Sequence, residues 1–420
     1  GCMPSKTLLE SARRAETIRR ASEFGLMAEY HGADGPMIQA RKRLLITEFA
    51  EYRRSQLGNG RFDFVRGRAR LIDAHTVEVA LMEGGTRRIE GRAFLVATGS
   101  RVNRVDIPGL EKVGSLDSDE VLESAHLPKS VIVLGGGAIA LEFASFYAGI
   151  GSEVTVLQRG PQLLKEVDVD VAEALATGLG KHGIRVLCKT ALVGAERHGA
   201  NKRVVFYKDG ERQTVEAEEI IYALGRRPVT EGLGLEEAGV TLRDCGIEVN
   251  ARQQSSHPHI FAAGDVCGPF EVVHIAIQQG EMAARNAARL LGARTDPLEE
   301  IDYKLNLFVV FTHPEVAVAG LSEKEATMKG IDFVTASYPF NDHGKSMVRG
   351  EVDGFVKLLC ERDSRRILGA AVIGPAASEL IHEVAVAIHF GARAGDLARI
   401  PHYHPTLSEI WLYPAEELAG

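Results

Sequence analysis

The sequence predicts an α/β protein: two nucleotide-binding domains of Rossmann-like type, followed by a C-terminal α+β domain. Three features predict it. An apolar strand at 131–134 runs into Gly135-Gly136-Gly137, then a helical stretch and a second strand at 153–157, which together make a βαβ unit. Strand-to-glycine endings recur at Val96-Ala97-Thr98-Gly99-Ser100, at Ile221-Tyr222-Ala223-Leu224-Gly225 and at Ile260-Phe261-Ala262-Ala263-Gly264-Asp265, a repetition that two related nucleotide domains would show. Beyond Thr295-Asp296-Pro297 the pattern changes to strands alternating with helices, the mark of a separate α+β unit.

In chain order, helical spacing of small and apolar residues predicts a helix over 5–20, and a heavily charged helix follows over 37–57, stopped by Gly58-Asn59-Gly60. Short alternating runs at 62–65, 75–80 and 88–95, split by turns such as Glu83-Gly84-Gly85, predict a small antiparallel sheet. After Ile107-Pro108-Gly109 a linker leads to the βαβ unit, and a helix, a strand and a hairpin run on to Pro228. A long helix is expected at 273–291, strands at 307–311, 355–359 and 367–373, and helices at 322–329 and 376–390.

At 420 residues and 45% hydrophobic content the chain can bury large cores. Its net charge of -8 is spread over interspersed acids and bases, with no basic face of the kind nucleic acid requires. The most apolar stretch, 130–151, is broken by glycines and carries Glu142, so no membrane span is expected. The five cysteines stand far apart with no CxxC, which is neither a disulfide framework nor a zinc ligand set, and a reducing, cytoplasmic setting is expected. His402 has no acidic or cysteine cluster near it in sequence, and no metal site is predicted.

Gly135-Gly136-Gly137-Ala138-Ile139-Ala140 matches G-x-G-x-x-G/A in the strand-turn-helix frame that gives this pattern its meaning. Gly135 permits the tight turn, Gly137 lets the backbone approach a pyrophosphate, and Ala140 allows close helix-sheet packing. The second strand ends at Leu157, and Gln158 and Arg159 follow where an acidic residue would bind a ribose 2′-hydroxyl. With Lys165 close behind, the cations favour a 2′-phosphate and hence NADPH, although the same residues also read as a solvated surface pair.

Gly1-Cys2-Met3-Pro4-Ser5-Lys6 resembles the G-C-x-P-S-K tail of the redox motif of pyridine-nucleotide-disulfide oxidoreductases. Other pieces resemble that family in the right order: Ala97-Thr98-Gly99-Ser100, the Gly135 fingerprint, Ala223-Leu224-Gly225-Arg226-Arg227-Pro228, Ala263-Gly264-Asp265, Thr312-His313-Pro314-Glu315 and His404-Pro405-Thr406-Leu407-Ser408-Glu409. The resemblance covers essentially the whole chain and takes in dihydrolipoyl dehydrogenases, glutathione reductases and mercuric reductases. The ending is most similar to the first of these.

The resemblance implies FAD, a nicotinamide nucleotide and a redox cysteine pair of which Cys2 is the flavin-side member. A thiolate is the reactive form of cysteine and the positive end of a helix favours it, so Cys2 ahead of the first helix is placed for reactivity. Lys6 and Glu142 are implied as an ion pair beside the flavin, and Asp265 as the residue that binds the ribitol, with Thr98, Gly99, Ser100, Gly225 and His274 around it. His404 and Glu409 are implied as a base and its orienter, reaching across a two-fold axis to the partner subunit's thiols, so a homodimer is expected. The implied substrate is a small-molecule or lipoyl-protein disulfide or dithiol.

The domains expected on this basis are an FAD domain at 1–115, an NAD(P) domain at 116–235, a return to the FAD domain at 236–300 and a dimerisation domain at 301–420. The family opens with a βαβ unit of its own and places the exchanging cysteine five residues before Cys2. Since this sequence starts at Gly1, it is expected to lack that cysteine and that unit, and to bind FAD weakly. Ala138 stands where glutathione reductases often carry a shielding tyrosine. Glutathione reductase-like and mercuric reductase-like enzymes using NADPH are the alternatives within the family, although no cysteine pair follows Glu417. Outside it stand a catalytically silent nucleotide-binding homologue, and a flavin oxidase or transhydrogenase that bypasses the disulfide.

Overall fold

The computed structural model describes residues 1–420, which cluster into two compact units. The first gathers Gly1–Thr47, Arg104–Leu224 and Lys304–Gly420, and the second gathers Glu48–Asn103 and Gly225–Tyr303.

The first unit is built on a four-stranded parallel sheet in the order Glu219–Tyr222, Ser130–Leu134, Glu153–Leu157, Ile184–Leu187. Val131, Ile132, Val133 and Leu134 are all buried, as a strand covered on both faces requires. The helix Ala138–Ile150 follows the central strand, and Val169–Lys181 precedes the edge strand. A three-stranded antiparallel sheet, Thr190–His198, Asn201–Lys208 and Glu211–Ala217, is inserted before the fourth parallel strand. The first helix spans Cys2–Arg19 and buries Leu8, Ala12 and Ala15. Leu8 and Ala12 share a core with Leu141, Ala144 and Tyr147 of Ala138–Ile150.

The C-terminal part of this unit is a five-stranded antiparallel sheet ordered Leu307–Val310, Glu315–Gly320, Ile367–Gly374, Phe355–Glu361, Phe333–Pro339. The helix Ala377–His389 and the chain end pack on it around fully buried Trp411, whose Nε1 donates to the Leu380 carbonyl at 3.0 Å.

The second unit holds a three-stranded antiparallel sheet, Gly67–Asp73, Thr76–Leu81 and Thr86–Glu90, together with three two-stranded sheets. In one of these Phe94–Val96 runs parallel to Ile260–Ala262, and in another Ser100–Val102 pairs with Arg226–Pro228. The long helix Val273–Leu290 completes it.

Three expectations need correction. The first helix begins at Cys2, with Gly1 as its N-cap, so the cysteine lies inside the first turn rather than ahead of it. The run at 62–65 is not a strand. Its place is taken by Gly67–Asp73, which pairs with Thr76–Leu81 because Asp73 accepts the His75 amide at 2.7 Å and closes the turn. The run at 88–95 breaks at Gly91, where a Cβ would meet the Phe94 ring at 2.6 Å, and its second half joins a different sheet. No helix is long and apolar enough to cross a membrane.

Candidate active site and nucleotide sites

The fingerprint turn is shaped as a dinucleotide cradle. Gly135 sits at φ +117°, and a Cβ there would stand 2.4 Å from the Ala223 carbonyl oxygen, so no other residue fits. Gly137 has open space where its Cβ would be, and it precedes Ala138–Ile150 with no side chain capping the first amides. Those amides and the helix dipole are free to face a phosphate. Ala140, 1% exposed, packs into the core behind them. Gln158 lies against Gly136 and donates to the Gln162 carbonyl at 3.1 Å, while Arg159 is exposed and Lys165 extends into solvent 3.7 Å from Glu166. These residues fit a nicotinamide nucleotide.

The redox end is organised by two helices. Cys2 is an exposed free thiol in the first turn of Cys2–Arg19. One turn on, the Lys6 ammonium donates to both Glu142 oxygens at 2.8 Å and lies 4.6 Å above the Phe311 ring. Glu142, only 6% exposed, also accepts the Phe311 amide at 3.2 Å. A buried carboxylate with a bidentate cation and a backbone donor is fully answered, and it ties the cysteine-bearing helix to the fingerprint helix.

Near the C-terminus, His404 Nδ1 is 3.0 Å from Glu409 Oε2. The His404 side chain is 78% exposed and that of Glu409 only 9%, so the imidazole projects outward from a buried orienter. Glu409 rides on a short helical turn, Ser408–Trp411, anchored by Trp411. Its other oxygen faces a residue the sequence did not flag: fully buried His343, with Nε2 at 3.4 Å and Nδ1 2.9 Å from Ser346 Oγ. Burial pushes His343 below the usual imidazole range, against the opposing pull of Glu409. No sequence motif reaches His343, which meets Glu409 only through the fold. His402 is engaged elsewhere, 2.5 Å from Glu383.

Within the second unit, Ser100 Oγ donates to Asp265 Oδ2 at 2.6 Å and accepts from Arg226 Nε at 2.7 Å. Thr98 Oγ1 donates to the Val229 carbonyl at 2.7 Å, and Gly99 (φ +69°) and Gly225 (φ +103°) hold turns that favour glycine, with no atom near either added Cβ. Asp265 is carried by the turn Gly264–Val266, and His274 lies in the first turn of Val273–Leu290, which has no side-chain cap. Val273 and Ile277, each 55% exposed, give this helix an apolar outer face. An acceptor, open amides and an apolar wall fit the ribitol and ring end of a flavin.

Thus the predicted residues fall into four groups: fingerprint, Lys6 with Glu142, His404 with Glu409, and Ser100 with Asp265. No hydrogen bond joins Cys2 to His404 within the chain.

Residues 1–280 match the family described as pyridine nucleotide-disulphide oxidoreductase, and residues 308–414 match its dimerisation domain. The chain belongs to this family. Among its relatives, the dihydrolipoyl dehydrogenase of Geobacillus stearothermophilus is 33% identical over 422 residues, covering 100% of this chain and 88% of the relative. That of Thermus scotoductus is 34% identical over 423 residues, with the same coverage. Of solved structures, LpdA from Mycobacterium tuberculosis superposes with a TM-score of 0.86 at 28% identity, covering 100% of this chain and 90% of that one. The HOCl-induced flavoprotein disulfide reductase RclA from Escherichia coli gives 0.85 at 25% identity, covering 99% and 89%. As a pyridine nucleotide-disulphide oxidoreductase, the protein is a flavoprotein oxidoreductase acting on sulfur groups, with FAD and a nicotinamide nucleotide as cofactors and a dimerisation domain that fits a homodimer.

Proposed function

We propose that this oxidoreductase exchanges electrons between a nicotinamide nucleotide and a dithiol or disulfide substrate of lipoyl type, with Cys2 as the flavin-side thiol and His404 as the proton carrier. The observation that carries this reading is the outward imidazole of His404 held by buried Glu409. A side chain so placed can take a proton from an incoming thiol and return it, while Glu409 fixes the tautomer with Nδ1 protonated and stabilises the imidazolium.

Bound FAD supplies the two-electron relay between nicotinamide and thiol. The chain's own residues do the rest. The uncapped amides beyond Gly137 bind the nucleotide pyrophosphate, Asp265 and Ser100 hold the ribitol, and Lys6, pinned by Glu142, places positive charge one helical turn from Cys2. In the lipoyl direction His404 would accept the proton of a substrate thiol as its sulfur bonds to the partner sulfur of a disulfide that includes Cys2, the S–S bond breaking and Cys2 leaving as a thiolate, and in the reverse direction it would give the proton back. Exposed Arg159, with no carboxylate beside it, supports NADPH over NADH. A reducing, cytoplasmic setting is part of this reading, on five cysteines that stand far apart with no CxxC.

The test is anaerobic reduction of the FAD-loaded protein with NADPH and NADH, followed by dihydrolipoamide and lipoamide turnover. A long-wavelength thiolate-to-flavin band that is absent in Cys2→Ser, together with turnover lost in both Cys2→Ser and His404→Gln, is the expected result. Undiminished disulfide reduction by Cys2→Ser would sink the proposal.

A further inference from the structure

Away from the groups described above, three side chains from distant parts of the first unit point at one spot. Glu16 lies in the fourth turn of Cys2–Arg19, His182 is the C-cap of Val169–Lys181, and His313 sits in the turn between strands Leu307–Val310 and Glu315–Gly320. Glu16 Oε1 stands 3.1 Å from His182 Nδ1 and 3.3 Å from His313 Nε2. The two imidazoles are 4.2 Å apart between ring centroids and tilted by 58°, and all three donor atoms lie within 4.8 Å of one another.

From this geometry we infer a binding site for a borderline divalent cation of the zinc type. Two imidazole nitrogens and one carboxylate oxygen form a three-ligand set that leaves a fourth position open. Around zinc, bonds of about 2.0–2.1 Å put tetrahedral donors about 3.3–3.4 Å apart, which both contacts to Glu16 already approach. The remaining nitrogen pair lies within 4.8 Å, on rings whose side chains are 26% and 32% exposed.

The ion has a way in. A cavity of about 250 Å³ is walled by both Glu16 and His313 and extends along the first helix to Lys6. Ten residue steps separate Glu16 from Lys6, about 15 Å along the helix axis, and Cys2 lies a further turn away. The ion's effect is to staple three segments that are far apart in sequence, so the ion stabilises the folded unit in proportion to its affinity. The inference does not depend on which substrate the enzyme takes.

The test uses metal-free, untagged FAD-loaded protein carrying Cys2→Ser and Cys245→Ser, which removes the two exposed thiols as competing ligands. Titration with ZnCl₂ is followed by calorimetry and by thermal melting, with MgCl₂ as the hard-cation control. The expected result is one zinc per chain, a raised melting temperature, no response to magnesium, and affinity lowered more than about tenfold in His182→Gln and again in Glu16→Gln. His402→Gln, at an unrelated His-Glu pair, retains binding. X-ray absorption at the zinc edge should show nitrogen and oxygen ligands only. Zinc affinity unchanged in either His182→Gln or Glu16→Gln, or sulfur in the coordination shell, overturns the inference. The two single variants guard against loss by misfolding, because a folded variant with wild-type affinity refutes the site from either side.

Discussion

The crossing of the first helix over Ala138–Ile150 is the contact on which the redox end depends, and Gly149→Ala tests it. A Cβ on Gly149 would lie 2.7 Å from Ala12 Cβ and 3.4 Å from Ala12 Cα. Carbon atoms rest at about 3.5–4.0 Å, so the helices must part by about 1 Å. Overpacking of this kind costs about 1–3 kcal/mol, and the better helix propensity of alanine returns about 0.5–1 kcal/mol. The net loss of up to about 2.5 kcal/mol should lower the melting temperature by up to about 3 °C. The same separation loads the Lys6–Glu142 contact and shifts Cys2, so turnover should fall by about tenfold or more. The decisive measurement is a double-mutant cycle. Ala12→Gly alone costs about 0.5–1 kcal/mol of helix propensity, yet combined with Gly149→Ala it should recover stability, with a coupling of about 1–2 kcal/mol. A coupling below about 0.5 kcal/mol refutes the close-packed crossing.

Three further outcomes follow from the sites. Glu409→Gln exchanges a charge-assisted hydrogen bond for a neutral one and removes the anion facing His404, so steady-state kcat should fall at least about tenfold with KM nearly unchanged. His343 has a folded-state pKa below its ordinary 6.5, so the unfolded chain takes its proton first as pH falls, and stability present above about pH 7 is lost progressively below it. Urea midpoints at about pH 7.5 and 5.5 should show a smaller drop for His343→Gln than for the parent, and parallel drops would exclude His343 as a source of the slope. Arg159→Glu should move the NADPH/NADH ratio of kcat/KM by about tenfold or more toward NADH, and an unaltered ratio would place the 2′-phosphate contact elsewhere.

What the sequence made legible is what is encoded locally. The Gly135 turn could be read because a buried apolar strand, three glycines and a helix are contiguous, and His404 with Glu409 because both belong to one short segment. The small sheet was partly misplaced, since strand Gly67–Asp73 is rich in arginine and mostly exposed and so shows little alternation. His343 and the Glu16–His182–His313 cluster could not be read at all. Glu16 is separated from His313 by nearly three hundred residues, and only the packing of helix ends against a strand turn brings them together. Periodicity reports which face of an element is buried, and says nothing of which distant element covers it.

The outward imidazole of His404, anchored from behind and bare in front, has a consequence for mixtures of chains. If each reaction centre takes its thiol from one subunit and its imidazole from the other, two inactive variants can complement each other. Chains carrying Cys2→Ser and chains carrying His404→Gln, each dead alone, would on random pairing give about half heterodimers, each with one wholly native centre and one doubly damaged centre. About a quarter of the parent activity should then reappear from two preparations that have none.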